Sequence, residues 1–199
     1  MARKIFFSFH YERDAWRASN VRNSDLISDE EETGFIDAAD WEEIKKKGDT
    51  AIRKWIRDQM NGTTVTVVLI GAETSTRQWV NFEIRESWET GNAIVGLYIH
   101  SIKDQESKTD RQGSNPLDHI YLANGKSLST VCKTYDWNVD EGRKNLGTWA
   151  ENAASARAEY KGETKLKPDS KTDSVSEAAK FGNNSGPTII RNPPSPWAR

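Results

Sequence analysis

Trp79 and Glu83 have the types and the spacing for chemistry. Four positions apart on a helix, they share one face about a turn from each other. A carboxylate there can accept hydrogen bonds from a ligand or steady a developing positive charge, and an indole can wall a pocket. A helical glutamate is also, in most proteins, an ordinary solvated residue. Further candidates sit at strand ends. Ser8, Phe9 and His10 close the first apolar run, Asp37 closes the second, and Trp41 follows it. Each keeps a bland reading beside the functional one. Ser8 ends a strand or touches a ligand; His10 is a loop histidine or a pocket group. Asp37 caps a turn or contacts a ligand, and Trp41 packs or walls a pocket.

The elements that must position them are legible around residues 64–88. TVTVVLI, at 64–70, is a β-branched run that reads as a strand buried on both faces. Gly71 and the polar residues 73–76 make a turn, with Ser75 or Thr76 as helix N-cap. From Arg77 the period changes: Val80, Ile84 and Trp88 fall four apart, on one helical face. Gly91 ends the helix and residues 93–99 begin a second apolar strand. Such a unit implies parallel strands and a right-handed crossover. It sets Trp79 and Glu83 on the flank of the apolar stripe, near the carboxyl edge of the sheet, where open α/β sheets bind ligands.

The rest of the chain alternates in the same way. Residues 4–9 read as an aromatic strand and 12–23 as a helix anchored by Trp16. Residues 24–33 are an acidic loop, 34–38 a second strand and 41–47 a polar stretch that reads as mobile. Asp49 caps a helix whose stripe is Ala51, Ile52, Trp55, Ile56 and Gln59. The polar segment 100–114 is long for a connection and reads as functional or disordered. Residues 131–135 are an edge strand with Cys132 as a small core residue, and 141–158 a last helix with Leu146, Trp149, Ala150 and Ala153 on one face. This order predicts an α/β fold, a parallel sheet with helices on both faces, within residues 1–160. Residues 161–199 are rich in Lys, Ser, Asn, Gly and Pro. They read as a polar tail, disordered or ordered by a partner.

Composition narrows the classes. A net charge of −2 over 199 residues gives no electrostatic reason to expect nucleic acid or an anionic membrane. No run approaches the roughly 20 apolar residues of a membrane span, and the N-terminus lacks a signal-peptide pattern. One cysteine excludes an internal disulfide and suits the cytosol; with three histidines it offers no structural-zinc spacing, so no metal is expected. Eight tryptophans, spread along the chain, read mainly as packing residues. No G-x-G-x-x-G, Walker A or G-x-S-x-G motif occurs. The turn after the first strand has no glycine for a flavin phosphate, and Ile70-Gly71 stands where a receiver domain carries its aspartate.

The segments KIFFSFHYERD, GFIDAADWEE, TTVTVVLIGAETSTRQWVNFEI, GNAIVGLYIHSI and KTYDWNVDEGRKNLGTWAENAA resemble the TIR-like family of prokaryotic anti-phage defence proteins, and within it the TIR subunits of Thoeris systems. The resemblance covers residues 4–158 and departs from many TIR domains at the first loop, where His10 and Tyr11 replace a Ser/Asp-rich turn. It implies a flavodoxin-like fold. It also implies cleavage of NAD⁺, as substrate rather than cofactor, at the nicotinamide–ribose bond, with a cyclic ADP-ribose isomer as product. That diffusible nucleotide would switch on a partner effector after a phage-derived trigger, with self-assembly of the TIR domains completing the pocket. Glu83 then takes the place of the catalytic glutamate and Trp79 that of the aromatic residue before it. Ser8, Phe9, His10, Asp37 and Trp41 become substrate-binding candidates.

Such chemistry suits a lone carboxylate. Nicotinamide departs as a neutral molecule from a cationic pyridinium, so no strong general acid is needed. The transition state is oxocarbenium-like, as in glycoside cleavage. Two rivals stay open on sequence: a non-catalytic TIR-like adaptor that senses phage components or assembles with other TIR domains, and plain hydrolysis to ADP-ribose.

Overall fold

The computed structural model describes residues 3–24, 32–33 and 43–169. Five strands form one sheet: β1 (Ile5–Ser8), β2 (Glu32–Thr33), β3 (Val65–Ile70), β4 (Ala93–Tyr98) and β5 (Thr134–Asp136). Their order is β2-β1-β3-β4-β5 and every pairing is parallel. This is the flavodoxin-like order, whose switch point lies between β1 and β3. The helices are α1 (Tyr11–Arg22), α2 (Asp49–Met60), α3 (Gln78–Glu89) and α4 (Gly142–Glu159).

Side-chain parity along the strands divides the core into two layers. Ile5, Phe7, Val65, Val67, Leu69, Val95 and Leu97 pack against Ala18 and Val21 of α1 and Leu146, Trp149 and Ala150 of α4. The alternate residues face the other way. Phe6 meets Ile52, Ile56 and Met60 of α2, while Val68, Ile70 and Ile94 meet Val80, Ile84 and Trp88 of α3. Helices therefore cover both faces, as the alternation of elements implied. All six residues of β3 are buried, Thr66 among them, which is why it reads as a β-branched run with no polar alternation. Each fully buried aliphatic side chain such as Ile84 contributes about 1.5–3 kcal/mol of transfer free energy. Parity also decides the site: Ser8 follows Phe6 by two, so its side chain lies on the α2/α3 side of the sheet.

Several local expectations change. Residues 74–76 wind into a 3-10 turn, and Arg77, not Ser75 or Thr76, holds the N-cap position of α3, without a side-chain cap. Gly48, at φ +86°, holds that position before α2, so Asp49 is the helix's first residue. Residues 43–46, within the polar stretch read as mobile, are helical. Trp16 is not the anchor of α1: it is 36% exposed, and the buried residues are Asp14, Arg17, Ala18 and Val21. Cys132 is buried but precedes β5. β2 occupies Glu32–Thr33; the expected strand at 34–38 lies outside the described residues.

The long polar segment after β4 is tied to α1. Arg17 Nε donates to the Ile102 carbonyl at 2.9 Å, and Arg13 Nη2 meets Asp110 Oδ2 at 2.8 Å. Residues 161–169, read above as the start of the tail, lie against α3 and its neighbours. Trp88 Nε1 donates to the Thr164 carbonyl at 2.7 Å and Arg85 Nη1 to that of Lys167 at 2.9 Å. Residues 170–199 lie outside the described residues.

Candidate active site

A cavity of about 330 Å³ opens beside the carboxyl end of β1, between the β1–α1 loop, α2 and the start of α3. That is the lower end of the range for small-molecule sites. Phe9, His10, Tyr11 and Glu12 supply one wall, Lys45 and Trp55 another, and Thr76, Arg77, Gln78, Trp79, Val80 and Glu83 a third. Trp79 meets Phe82 edge-on, ring centres 6.2 Å apart, with the Arg53 guanidinium 4.6 Å over the Phe82 ring. Phe9 and Tyr11 lie tilted at 6.0 Å.

Glu83 is the chemical centre of this cavity. Protein crowds it on all sides except the one open to the cavity, so it is half-buried. The buried hydroxyl of Ser8 donates to its Oε2 at 2.5 Å. Burial raises the carboxyl pKa from 4.5 to about 8, because charge is costly away from water; the Ser8 hydrogen bond opposes the rise. A pKa near 8 favours the neutral carboxylic acid at neutral pH. His10 is shifted the other way. Burial first, and then the nearby Arg77 cation, lower its pKa, so the imidazole stays neutral. Its Nε2 lies 3.8 Å from Glu12 Oε2, and its buried Nδ1 has no hydrogen-bond partner among the described residues.

Of the residues singled out in the sequence, the fold brings together Ser8, Phe9, His10, Trp79 and Glu83. Asp37 and Trp41 lie outside the described residues. Sequence reasoning missed Tyr11, Glu12, Lys45, Arg77 and Gln78 as cavity walls, and it read Trp55 as core stripe. Arg77, six positions before Glu83 at the mouth of the same helix, was the one with a usable signal. Among the described residues no group of three or more His, Cys, Asp or Glu side chains could hold a metal ion. No helix there is long and apolar enough to cross a membrane.

A parallel sheet in this strand order, with an aromatic residue one turn before a half-buried glutamate at its carboxyl edge, invites comparison with known proteins. The family model described as "Thoeris protein ThsB, TIR-like domain" matches residues 6–104. A protein of Bacillus cereus (strain MSX-D12), named "Putative cyclic ADP-D-ribose synthase ThsB1", is 33% identical over 190 aligned positions, which span 75% of this chain and 99% of that protein. The chain belongs to the ThsB TIR-like family. The family match takes in the whole cavity wall from the β1–α1 loop through Glu83, and the longer alignment extends the likeness to most of the chain. The TIR-like resemblance and the α/β fold read from the sequence both stand.

Proposed function

We propose that this protein is a Thoeris defence enzyme that cleaves NAD⁺ at the nicotinamide–ribose bond and closes the product into a cyclic ADP-ribose isomer. The observation that carries the reading is Glu83, held by Ser8 at 2.5 Å inside a cavity at the β1/β3 switch point, with Trp79 one turn away. The name of the Bacillus cereus relative supports the product class.

The chemistry follows from the charges. The C1′–N bond breaks with its electron pair passing to the pyridinium ring, so nicotinamide leaves neutral. Positive charge then grows on C1′ and the ring oxygen of the ribose. An ionised Glu83 beside that ribose stabilises the charge and orients the hydroxyls. The aromatic walls, Phe9, Tyr11 and Trp79, keep water from the cation. A nucleophilic oxygen or nitrogen of the same ADP-ribose then bonds to C1′, with loss of its proton where it carries one, and a ring closes. Residues Asp37 and Trp41 remain candidates for ribose and pocket contact. The diffusible nucleotide would carry the signal to a separate effector, and a phage-derived trigger, with self-assembly, would start turnover.

Because the substrate's pyridinium is cationic, its arrival lowers the Glu83 pKa. The profile of kcat/KM, which reports the free enzyme, should therefore rise with pH towards about 8, while that of kcat should rise at lower pH. The deciding experiment is mass spectrometry of nucleotides from phage-infected cells carrying the wild type or Glu83→Gln. A mass matching cyclic ADP-ribose, present with the wild type alone, is the expected outcome. Linear ADP-ribose by itself would replace cyclisation with hydrolysis. Phage protection without nucleotide change would make the protein an adaptor.

A further inference from the structure

The cavity wall carries two cations, Lys45 and Arg77, and they are held differently. Lys45 is matched within the cavity by Glu12, 3.4 Å away. Arg77 is paired through Nη2 with Glu73 Oε2, but Glu73 is shared. Its other oxygen, Oε1, accepts from Arg13 Nη1 at 3.2 Å. One carboxylate is thus shared between two guanidinium groups. Arg13 is fixed in turn by Asp110, with Nε at 2.9 Å and Nη2 at 2.8 Å from Oδ2. Asp110 belongs to the segment after β4, whose Gly113 packs so tightly on Gly71 and Ala72 that a Cβ there would lie 2.1 Å from the Gly71 carbonyl oxygen. Arg77 thus stands at the end of a chain, Asp110–Arg13–Glu73–Arg77, that starts in a tightly packed loop and ends on the cavity wall. Among the described residues Nη2 is the one nitrogen of Arg77 with a hydrogen bond, so most of its five donors are uncommitted.

We propose that Arg77 recognises the diphosphate of the nucleotide, and that Glu73, Arg13 and Asp110 are positioning residues that hold it for that purpose. This rests on the nucleotide reading above and deepens it. Arg77 lies six residues before Glu83, about 9 Å along the helix axis at 1.5 Å per residue. With Glu83 at the reacting ribose carbon, the diphosphate begins just one ribose and one methylene away, within reach of a side chain as long as arginine. A guanidinium fork suits two phosphate oxygens better than an ammonium does. The substrate is thereby oriented, with its reacting ribose towards Ser8 and Glu83 and its diphosphate at the start of α3.

Calorimetry on the full chain tests this with two probes, ADP-ribose and nicotinamide riboside, which lacks phosphate. Arg77→Gln is expected to weaken ADP-ribose about 10- to 100-fold and leave nicotinamide riboside unchanged. Arg77→Lys should restore part of the loss, and Glu73→Gln should weaken ADP-ribose by a smaller factor. Undiminished ADP-ribose binding by Arg77→Gln, or equal loss of both probes, would overturn the assignment. The two readings fail separately. If Glu83→Gln still makes the cyclic product while Arg77→Gln loses ADP-ribose, the role of Glu83 falls and Arg77 stands. If Glu83→Gln is dead while Arg77→Gln binds as wild type, Arg77 alone falls.

Discussion

Two carboxyl groups, half-buried Glu83 and fully buried Asp14, meet similar electrostatic stress in different surroundings. Both are raised by desolvation, Glu83 to about 8 and Asp14 to about 6. Glu83 opens onto a cavity, and a serine hydroxyl aims at it. Asp14 is fully enclosed in the first turn of α1, against the Cα of Gly71 at the end of β3. Neither of its oxygens has a hydrogen-bond partner among the described residues, and its nearest cation there is Arg17, 3.7 Å away. A perturbed carboxyl is therefore not in itself a site. Access and an oriented neighbour make the difference, and Asp14 has neither.

The largest expected separation is in turnover. Glu83→Gln should lower it at least about 100-fold while leaving the fold intact, whereas Asp14→Asn should leave it close to wild type. A rate assay on folded proteins decides this, and equal losses would erase the contrast. Next in size is the packing at Asp14. A Cβ on Gly71 would lie 2.2 Å from Asp14 Oδ2, so Gly71→Ala should destabilise by about 1–3 kcal/mol, read as a lower thermal midpoint. Adding Asp14→Ala should recover part of that loss, because the clashing partner is gone; strictly additive effects would show that the two do not share the strain.

A third expectation separates the groups by pH. Asp14 binds its proton more tightly folded than unfolded, so its contribution to stability is full below 3.8 and is lost as pH rises through about 6. Glu83 behaves alike, but its loss runs from 4.5 up to about 8. Thermal midpoints measured from pH 4 to 9 should thus show Asp14→Asn gaining on wild type mainly below pH 6 and holding level beyond. Glu83→Gln should go on gaining up to pH 8. The smallest effect belongs to Ser8→Ala, which removes the hydrogen bond opposing the rise at Glu83. It should move the kcat/KM profile to higher pH, and an unmoved profile would mean that Ser8 does not reach the ionised carboxylate.

Much of this was legible in the residues. The β-branched run of β3, the four-residue spacing of Val80, Ile84 and Trp88, and the apolar run of β4 are local patterns, and burial rewards them wherever they sit. Glu83 and Trp79 were visible because a helix after a central strand has one predictable place. Local rules failed where packing overrode them. Trp16 was the largest apolar residue of α1, yet the face turned to the sheet is that of Ala18 and Val21, with Asp14 and Arg17 beneath the loop after β4. No periodicity in the residues announces which face that is. The N-cap of α2 went to Gly48 rather than Asp49, and that of α3 to Arg77, which the N-cap preference does not favour.

The sequence by itself determined the alternation of elements, the two-sided burial of the central strands and the seat of the glutamate, because each depends on neighbours a few positions apart. Only the tertiary structure decided what surrounds that glutamate. Ser8 is 75 positions from Glu83 in the chain, and Asp110 is 97 from Arg13. Such pairs are set by strand order and by the parity of side chains across a sheet. Desolvation, which raises Glu83, is likewise a property of everything packed around it rather than of any segment.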